Sequence, residues 1–364
     1  MTIAENKIIA LIKQYGHDPI SCALLQKDLN YFETSYGILA YRRVYGIDIS
    51  LGPPICAASD KKEIVARFLT RTKKPVLNYL TKQDVQALSG LDLKPVSIGC
   101  ERWVDVSRFV QHPSTPVLSA NKKADKAKLS IKEVYFDQQD TALKQRIKEI
   151  NQSFLERARY NREMSFINRP YDRHADGLRR LFTIEKYDSE HQGVFGYVVL
   201  NPFYVQGQVS GYMLDIIRFD KTRIWGIWLS VVSQIAGLMQ QEDLKLSLGY
   251  CPLQRIYDAE LKENRRLRIQ TKMLSRFLGS VHYIDALVQR KKLIQGYNLN
   301  RYMMSYTANS WQPMRALLAA CEIHTPALLS TELFRSIYKG LRPLGRSYKL
   351  STQKESSRVH CREV

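Results

Sequence analysis

Tyr36-Gly-Ile-Leu-Ala-Tyr-Arg-Arg43, Tyr45-Gly-Ile-Asp-Ile-Ser-Leu51 and Gly52-Pro53-Pro54 read as a two-stranded hairpin running into a bend. After the bend, Asp60 and Glu63 form a candidate capping pair, and Ile64, Val65, Phe68 and Leu69 recur at helical spacing. The apolar Pro75-Val-Leu-Asn-Tyr-Leu80 follows as a short strand. The same order returns later in the chain. Val194-Phe-Gly-Tyr-Val-Val-Leu200 and Gly207 to Arg218 are strand-like around a turn expected at Asn201-Pro202. Ile224, Ile227, Val231, Ile235 and Leu238 then mark one face of a helix, and Lys245-Leu-Ser-Leu-Gly-Tyr250 closes the unit as a strand. Two β-β-α-β units in one chain predict a tandem of α/β domains, joined between Val110 and Ser130. The expected organisation is an N-terminal domain over 1–120, a second domain with a basic helical region over 121–345, and a disordered Ser-rich tail over 346–364. The basic stretch Asn121-Lys-Lys-Ala-Asp-Lys-Ala-Lys128 at the join reads as a short helix.

The 364-residue length is enough for two such domains, and 45% hydrophobic with 25% charged residues is a globular composition. A basic disordered tail protein and a collagen-like fibre are excluded. Six cysteines (Cys22, Cys56, Cys100, Cys251, Cys321, Cys361) lie far apart with no CxxC pair, which disfavours a zinc cluster or a secreted disulfide framework and fits a reducing cytoplasm. No export signal is expected from the N-terminal residues, and the longest apolar run, Ile224 to Met239, is interrupted by Ser230, Ser233 and Gln234. The formal charge of +20 favours an anionic partner, either nucleic acid or an anionic membrane face. Much of that excess lies after Leu253, with nine basic residues between Leu261 and Lys292 against Glu263 and Asp285.

Four places carry a resemblance to a known family: Ala40-Tyr41 through Leu51-Gly52-Pro53-Pro54, Glu163-Met-Ser-Phe166, Asp215-Ile-Ile-Arg218 and Ser247-Leu-Gly-Tyr-Cys-Pro-Leu253. From about Tyr36 to about Leu329 the chain resembles the cytoplasmic catalytic domain of the aminoacyl-phosphatidylglycerol synthases, the multiple peptide resistance factor family. The resemblance implies an α/β fold of two tandem GNAT-like domains, each a mixed sheet flanked by helices. It also implies an aminoacyltransferase that moves an amino acid from aminoacyl-tRNA to a hydroxyl of a lipid such as phosphatidylglycerol. No cofactor beyond the aminoacyl-tRNA co-substrate is expected, and the expected location is the cytoplasm, peripheral at the inner face of the membrane. An aminoacyl ester is already activated, so such an enzyme has chiefly to align ester and hydroxyl and to stabilise the developing oxyanion.

Within that resemblance, Asp215 and Arg218 are the candidate catalytic residues. Asp215 would lie by the α-amino group or accept a proton, and Arg218 would meet phosphate or the terminal adenosine; the alternative is an ion pair closing a strand end. Glu163 is a candidate for a substrate amine or a solvated loop residue, and Gly226 for anion contact at a helix start or for close packing. Gly249, with Cys251 and Pro252, marks a splayed strand exit, where a GNAT fold holds its acyl donor, or an ordinary strand-terminating turn. Cys251 has no His near it in sequence and reads as a packed thiol. The single glycine before Trp228 disfavours an acyl-CoA pyrophosphate loop.

The chain departs from the family at Tyr302-Met303-Met304-Ser305-Tyr306, where a K-x-K-F segment is expected, and again at Trp311-Gln312-Pro313-Met314-Arg315. Arg301 and Arg315 would have to replace those lysines as phosphate ligands, while Met303 and Met304 read as core. Two other functions stay open on this reading: a non-catalytic GNAT-like module binding RNA or anionic membrane, and a GNAT acyltransferase using acyl-CoA. The seven histidines are isolated, and no metal-binding motif or P-loop is present.

Overall fold

The computed structural model describes residues 3–323 apart from 136–138, 158–162, 164, 172–176, 188–191, 221–225, 255–257, 259, 262–268, 270, 273–283 and 307–311. Most of the basic Leu261–Lys292 region, Arg223 to Trp225, Trp311 and the tail lie outside the described residues. The first half comprises α1 (Ile3–Tyr15), a 3-10 turn (Pro19–Leu25), β1 (Asn30–Glu33), β2 (Gly37–Val44), β3 (Ile47–Ser50), β4 (Ile55–Cys56), α2 (Lys61–Arg71), β5 (Pro75–Leu80), α3 (Lys82–Ala87) and β6 (Lys94–Val104). Helices α4 (Val106–Gln111) and α5 (Thr115–Lys126) make the join. The second half continues with β7 (Leu129–Val134), α6 (Thr141–Arg157), β8 (Arg180–Tyr187), β9 (Gln192–Val205), β10 (Gln208–Phe219), α7 (Ile227–Gln241) and β11 (Lys245–Pro252). Helix α8 (Ile284–Lys292), β12 (Gly296–Ser305) and α9 (Gln312–Ala320) complete the described chain.

The expected α/β class is what the structure has: a mixed sheet flanked by helices, with both β-β-α-β units present. In the first unit β2 and β3 pair antiparallel and β3 then pairs parallel with β5; in the second β9 and β10 pair antiparallel and β10 pairs parallel with β11. The sheet is continuous, in the order β1-β2-β3-β5-β12-β6-β11-β10-β9-β8-β7, with β4 beside β2. Strand β12, from late in the chain, therefore lies between β5 and β6 of the first half, where Tyr302, Met303 and Met304 are buried. The core reading of the two methionines is correct.

Two local expectations change, and the helix expected at the join is present. The turn between β9 and β10 falls at Gln206-Gly207, not at Asn201-Pro202, because both of those residues pair with β10 opposite Met213 and Tyr212. Asp60 stands at the N-cap of α2 but makes no capping hydrogen bond through its side chain. The basic stretch at the join is helical to Lys126, and α5 buries Val117, Ala120 and Ala124 on its inner face. That spacing of 3 and 4 matches one helix face, so the lysines are left to the outside.

Candidate active site

Strands β10 and β11 hold together only over Gly211–Met213 and Lys245–Ser247, and part beyond that point. Both strands carry an irregularity there. On β10 the register slips between Leu214 and Ile216, which makes Asp215 the extra residue of a bulge. Residues 214 and 216 of a regular strand would share a face, but across this bulge Leu214 packs with α7 residues and Ile216 packs with Ile147 and Ile150 of α6. The switch carries Arg218 to the α6 side. On β11 the register slips between Ser247 and Tyr250, and Gly249 has φ +75°, a conformation that excludes most side chains. The Gly249 N–H is turned back to the Ser247 hydroxyl at 2.9 Å rather than to a neighbouring strand.

Asp215, Arg218 and Glu163 are brought into one cluster. Arg218 donates to both carboxylate oxygens of Glu163, at 2.6 Å and 2.9 Å, and packs over the Phe154 ring at 4.9 Å. Its remaining contact, at 3.4 Å, is the hydroxyl of Tyr197, which sits opposite it on β9 and donates to Asn151 at 2.9 Å. A bidentate guanidinium–carboxylate pair is geometrically specific, so the Glu163 loop is fixed on the strand by its partner. Asp215 accepts from Asn201 at 2.9 Å. Burial pushes its carboxyl up to about 6, against the pull of the Arg179 charge, the Asn201 hydrogen bond and Arg169. A carboxyl in that range exchanges a proton near neutral pH, as a general base must.

The loop carrying Glu163 also reaches the first half. Gln26 and Phe166 exchange two hydrogen bonds, from Gln26 Nε2 to the Phe166 carbonyl at 2.7 Å and from the Phe166 N–H to Gln26 Oε1 at 2.8 Å. Arg169 contacts Cys22 Sγ at 3.6 Å, and Arg42 donates to the Ser165 hydroxyl at 3.0 Å.

The other sequence candidates are placed elsewhere. Arg301 is fully buried, bonded to Asp18 at 2.5 Å and to Glu101, with its guanidinium 4.5 Å from the Tyr79 ring centre. Glu101 in turn accepts from the Ser247 hydroxyl at 2.5 Å, so Arg301 and Gly249 belong to one buried chain of polar contacts spanning β12, β6 and β11. Burial raises the Glu101 carboxyl despite the adjacent Arg301 charge. Arg315 is exposed on α9 and stacks over Tyr45 at 4.6 Å. Gly226 is the left-handed N-cap of α7, where a Cβ would stand 3.1 Å from Ala120 of α5.

Sequence reasoning missed Tyr197, Asn201, Arg169 and Arg179. Tyr197 and Asn201 stood inside quoted segments, but as an apolar strand residue and a turn residue; only the register of β9 against β10 aims them at Arg218 and Asp215. Arg169 and Arg179 meet Asp215 through tertiary folding, and no local pattern marks them.

The profile of the family described as phosphatidylglycerol lysyltransferase, C-terminal, matches residues 9–305. No curated protein matches the chain. Among solved structures, L-PGS from Bacillus licheniformis superposes with TM-score 0.70 at 13% identity, covering 87% of this chain and 96% of that one. The C-terminal domain of a putative lysylphosphatidylglycerol synthetase from Agrobacterium fabrum gives 0.67 at 12% identity, covering 87% and 96%. FemX gives 0.55 at 10% identity, covering 87% and 99%. At these identities the structures speak for the fold, and the profile, over most of the chain, speaks for the family. With its two β-β-α-β units and a charged cluster where β10 and β11 part, this chain belongs to the phosphatidylglycerol lysyltransferase C-terminal family.

Proposed function

We propose that the protein transfers an aminoacyl group from aminoacyl-tRNA to a hydroxyl of an anionic lipid, phosphatidylglycerol first among them. The observation that carries this reading is the cluster of half-buried Asp215 and Glu163 with buried Arg218 beside the opening between β10 and β11, in a chain of a lipid-aminoacylating family. Asp215, ionised above about 6, takes the proton of the acceptor hydroxyl as that oxygen attacks the ester carbonyl. The ribose hydroxyl of the tRNA terminus leaves and recovers a proton, so the step is an ester exchange without net redox change. Arg218 and Glu163 position the Asp215 strand and the 163–171 loop against each other. Exposed Lys122, Lys126 and Lys128 at the end of α5 add to a basic surface suited to phosphates.

A second reading has a specific observation behind it. Arg301 is occupied by Asp18 and Glu101, so of the two arginines expected to replace the family lysines only Arg315 is exposed. This favours a module that binds an anionic partner without turning it over. Incubation with radiolabelled aminoacyl-tRNAs and phosphatidylglycerol vesicles separates the two. Label in the organic phase, lost with Asp215→Asn, is the expected result; retention of tRNA on folded protein with no labelled lipid or small-molecule product overturns the transferase reading.

A further inference from the structure

Cys100 on β6 and Cys251 on β11 are directly opposite each other across the antiparallel pair, in a buried cluster completed by Val288 of α8. Residues facing each other in such a ladder have Cα atoms about 4.5–5.5 Å apart, inside the roughly 4.4–6.8 Å range that a disulfide spans. The thiols are already hydrogen-bonded. Two cations stand beside them: Lys291, buried on α8 with its ammonium on the Tyr250 carbonyl at 2.9 Å, and Arg102, two residues from Cys100 and anchored on the Ile294 carbonyl.

We propose that Cys100 and Cys251 are a thiol-modification site that closes reversibly to a cross-strand disulfide when a hydroperoxide reaches it. The hydrogen bond from Cys100 draws the Cys251 thiol below its ordinary value against the opposing effect of burial, and the Lys291 and Arg102 charges act in the same direction. Cys251 is thus the attacking sulfur. Its thiolate breaks the O–O bond and takes one oxygen, giving a sulfenic acid, and the thiol proton passes to the departing oxygen to release an alcohol, or water from hydrogen peroxide. The Cys100 thiol then attacks the sulfenic sulfur, forming the S–S bond and releasing water, so two thiols lose two electrons and one peroxide gains them. Cys56 and Cys321 lack this environment: burial pushes the Cys56 thiol up to about 11 and the Cys321 thiol up to about 12.

The proposal does not depend on the transferase reading, and its test needs no activity. The folded full-length protein is treated with near-stoichiometric hydrogen peroxide, quenched with an alkylating agent and mapped by peptide mass spectrometry. The expected product is a linked Cys100–Cys251 peptide pair, two hydrogens lighter than the free thiols and separated again by dithiothreitol. It should form at least about tenfold faster than Cys56 or Cys321 oxidises, because the thiolate is the reacting species. In Cys100→Ser the same treatment should leave a Cys251 sulfenic acid that dimedone traps. Absence of the linked pair from folded wild-type protein, or oxidation of Cys251 no faster than Cys56, overturns the proposal.

Discussion

Asp215 is at once a candidate base and a liability to the fold. Its carboxyl titrates at about 6 in the folded chain against 3.8 in an ordinary setting, so folding favours the protonated form. Below about pH 4 both states hold the proton and the residue costs nothing; as pH rises through about 6 the folded state alone resists losing it, and the penalty becomes complete. Two pKa units correspond to roughly 3 kcal/mol at most. Asp215→Asn removes the charge while leaving an oxygen to accept from Asn201, so it is expected to raise stability near neutral pH by about 1–3 kcal/mol and to change it little near pH 4. Thermal unfolding at the two pH values checks this. The same variant is expected to lose transfer, and a gain in melting temperature alongside lost turnover identifies a residue kept for chemistry at the expense of stability.

Between elements, the decisive feature is where β10 and β11 part. Much of it was legible in the sequence, because Gly and Pro within four residues at Gly249–Pro252 announce a disturbed strand exit, and Asp215 and Arg218 are spaced at the end of the facing strand. What was not legible is the bulge at Asp215. A three-residue spacing says nothing about an inserted residue, and it is the bulge that sends Arg218 toward α6, Tyr197 and Glu163. Arg301 shows a limit of another kind: its residue type fits phosphate binding, yet burial beside Asp18 and Glu101 makes it a structural counter-charge. Gly249→Ala tests the parting directly. The introduced methyl would stand 3.6 Å from the Met213 sulfur and 3.7 Å from the Leu214 carbonyl oxygen, ordinary contacts, so the cost comes mainly from φ +75° and should be about 1–2 kcal/mol by chemical denaturation. Transfer is expected to fall more than tenfold in protein that remains folded. Activity within about twofold of wild type would remove the opening from the site.

For the whole molecule, the two halves are repeats in local order joined in one continuous sheet. Strand β12 fills the gap between β5 and β6 and puts Tyr302, Met303 and Met304 into the first half's interior. A fragment ending at residue 120 would expose both strand edges and the apolar face that β12 covers. Expressed alone, that fragment should lack a cooperative unfolding transition and should aggregate. Adding a peptide of residues 296–305 should restore protected amides in β5 and β6 by hydrogen exchange. A cooperatively folding 1–120 fragment would show that β12 is an accessory to this sheet.

That insertion also constrains the order in which the protein comes into being. The segment through Val104 emerges from the ribosome with a vacant slot in its sheet, and the strand that fills it is some 190 residues further along. At a synthesis rate of about 5–20 residues per second, β5 and β6 wait on the order of ten seconds or more with unpaired edges. The nascent chain therefore passes through a vulnerable interval that its finished form conceals, and the sheet around β5 and β6 is completed only once β12 has been made.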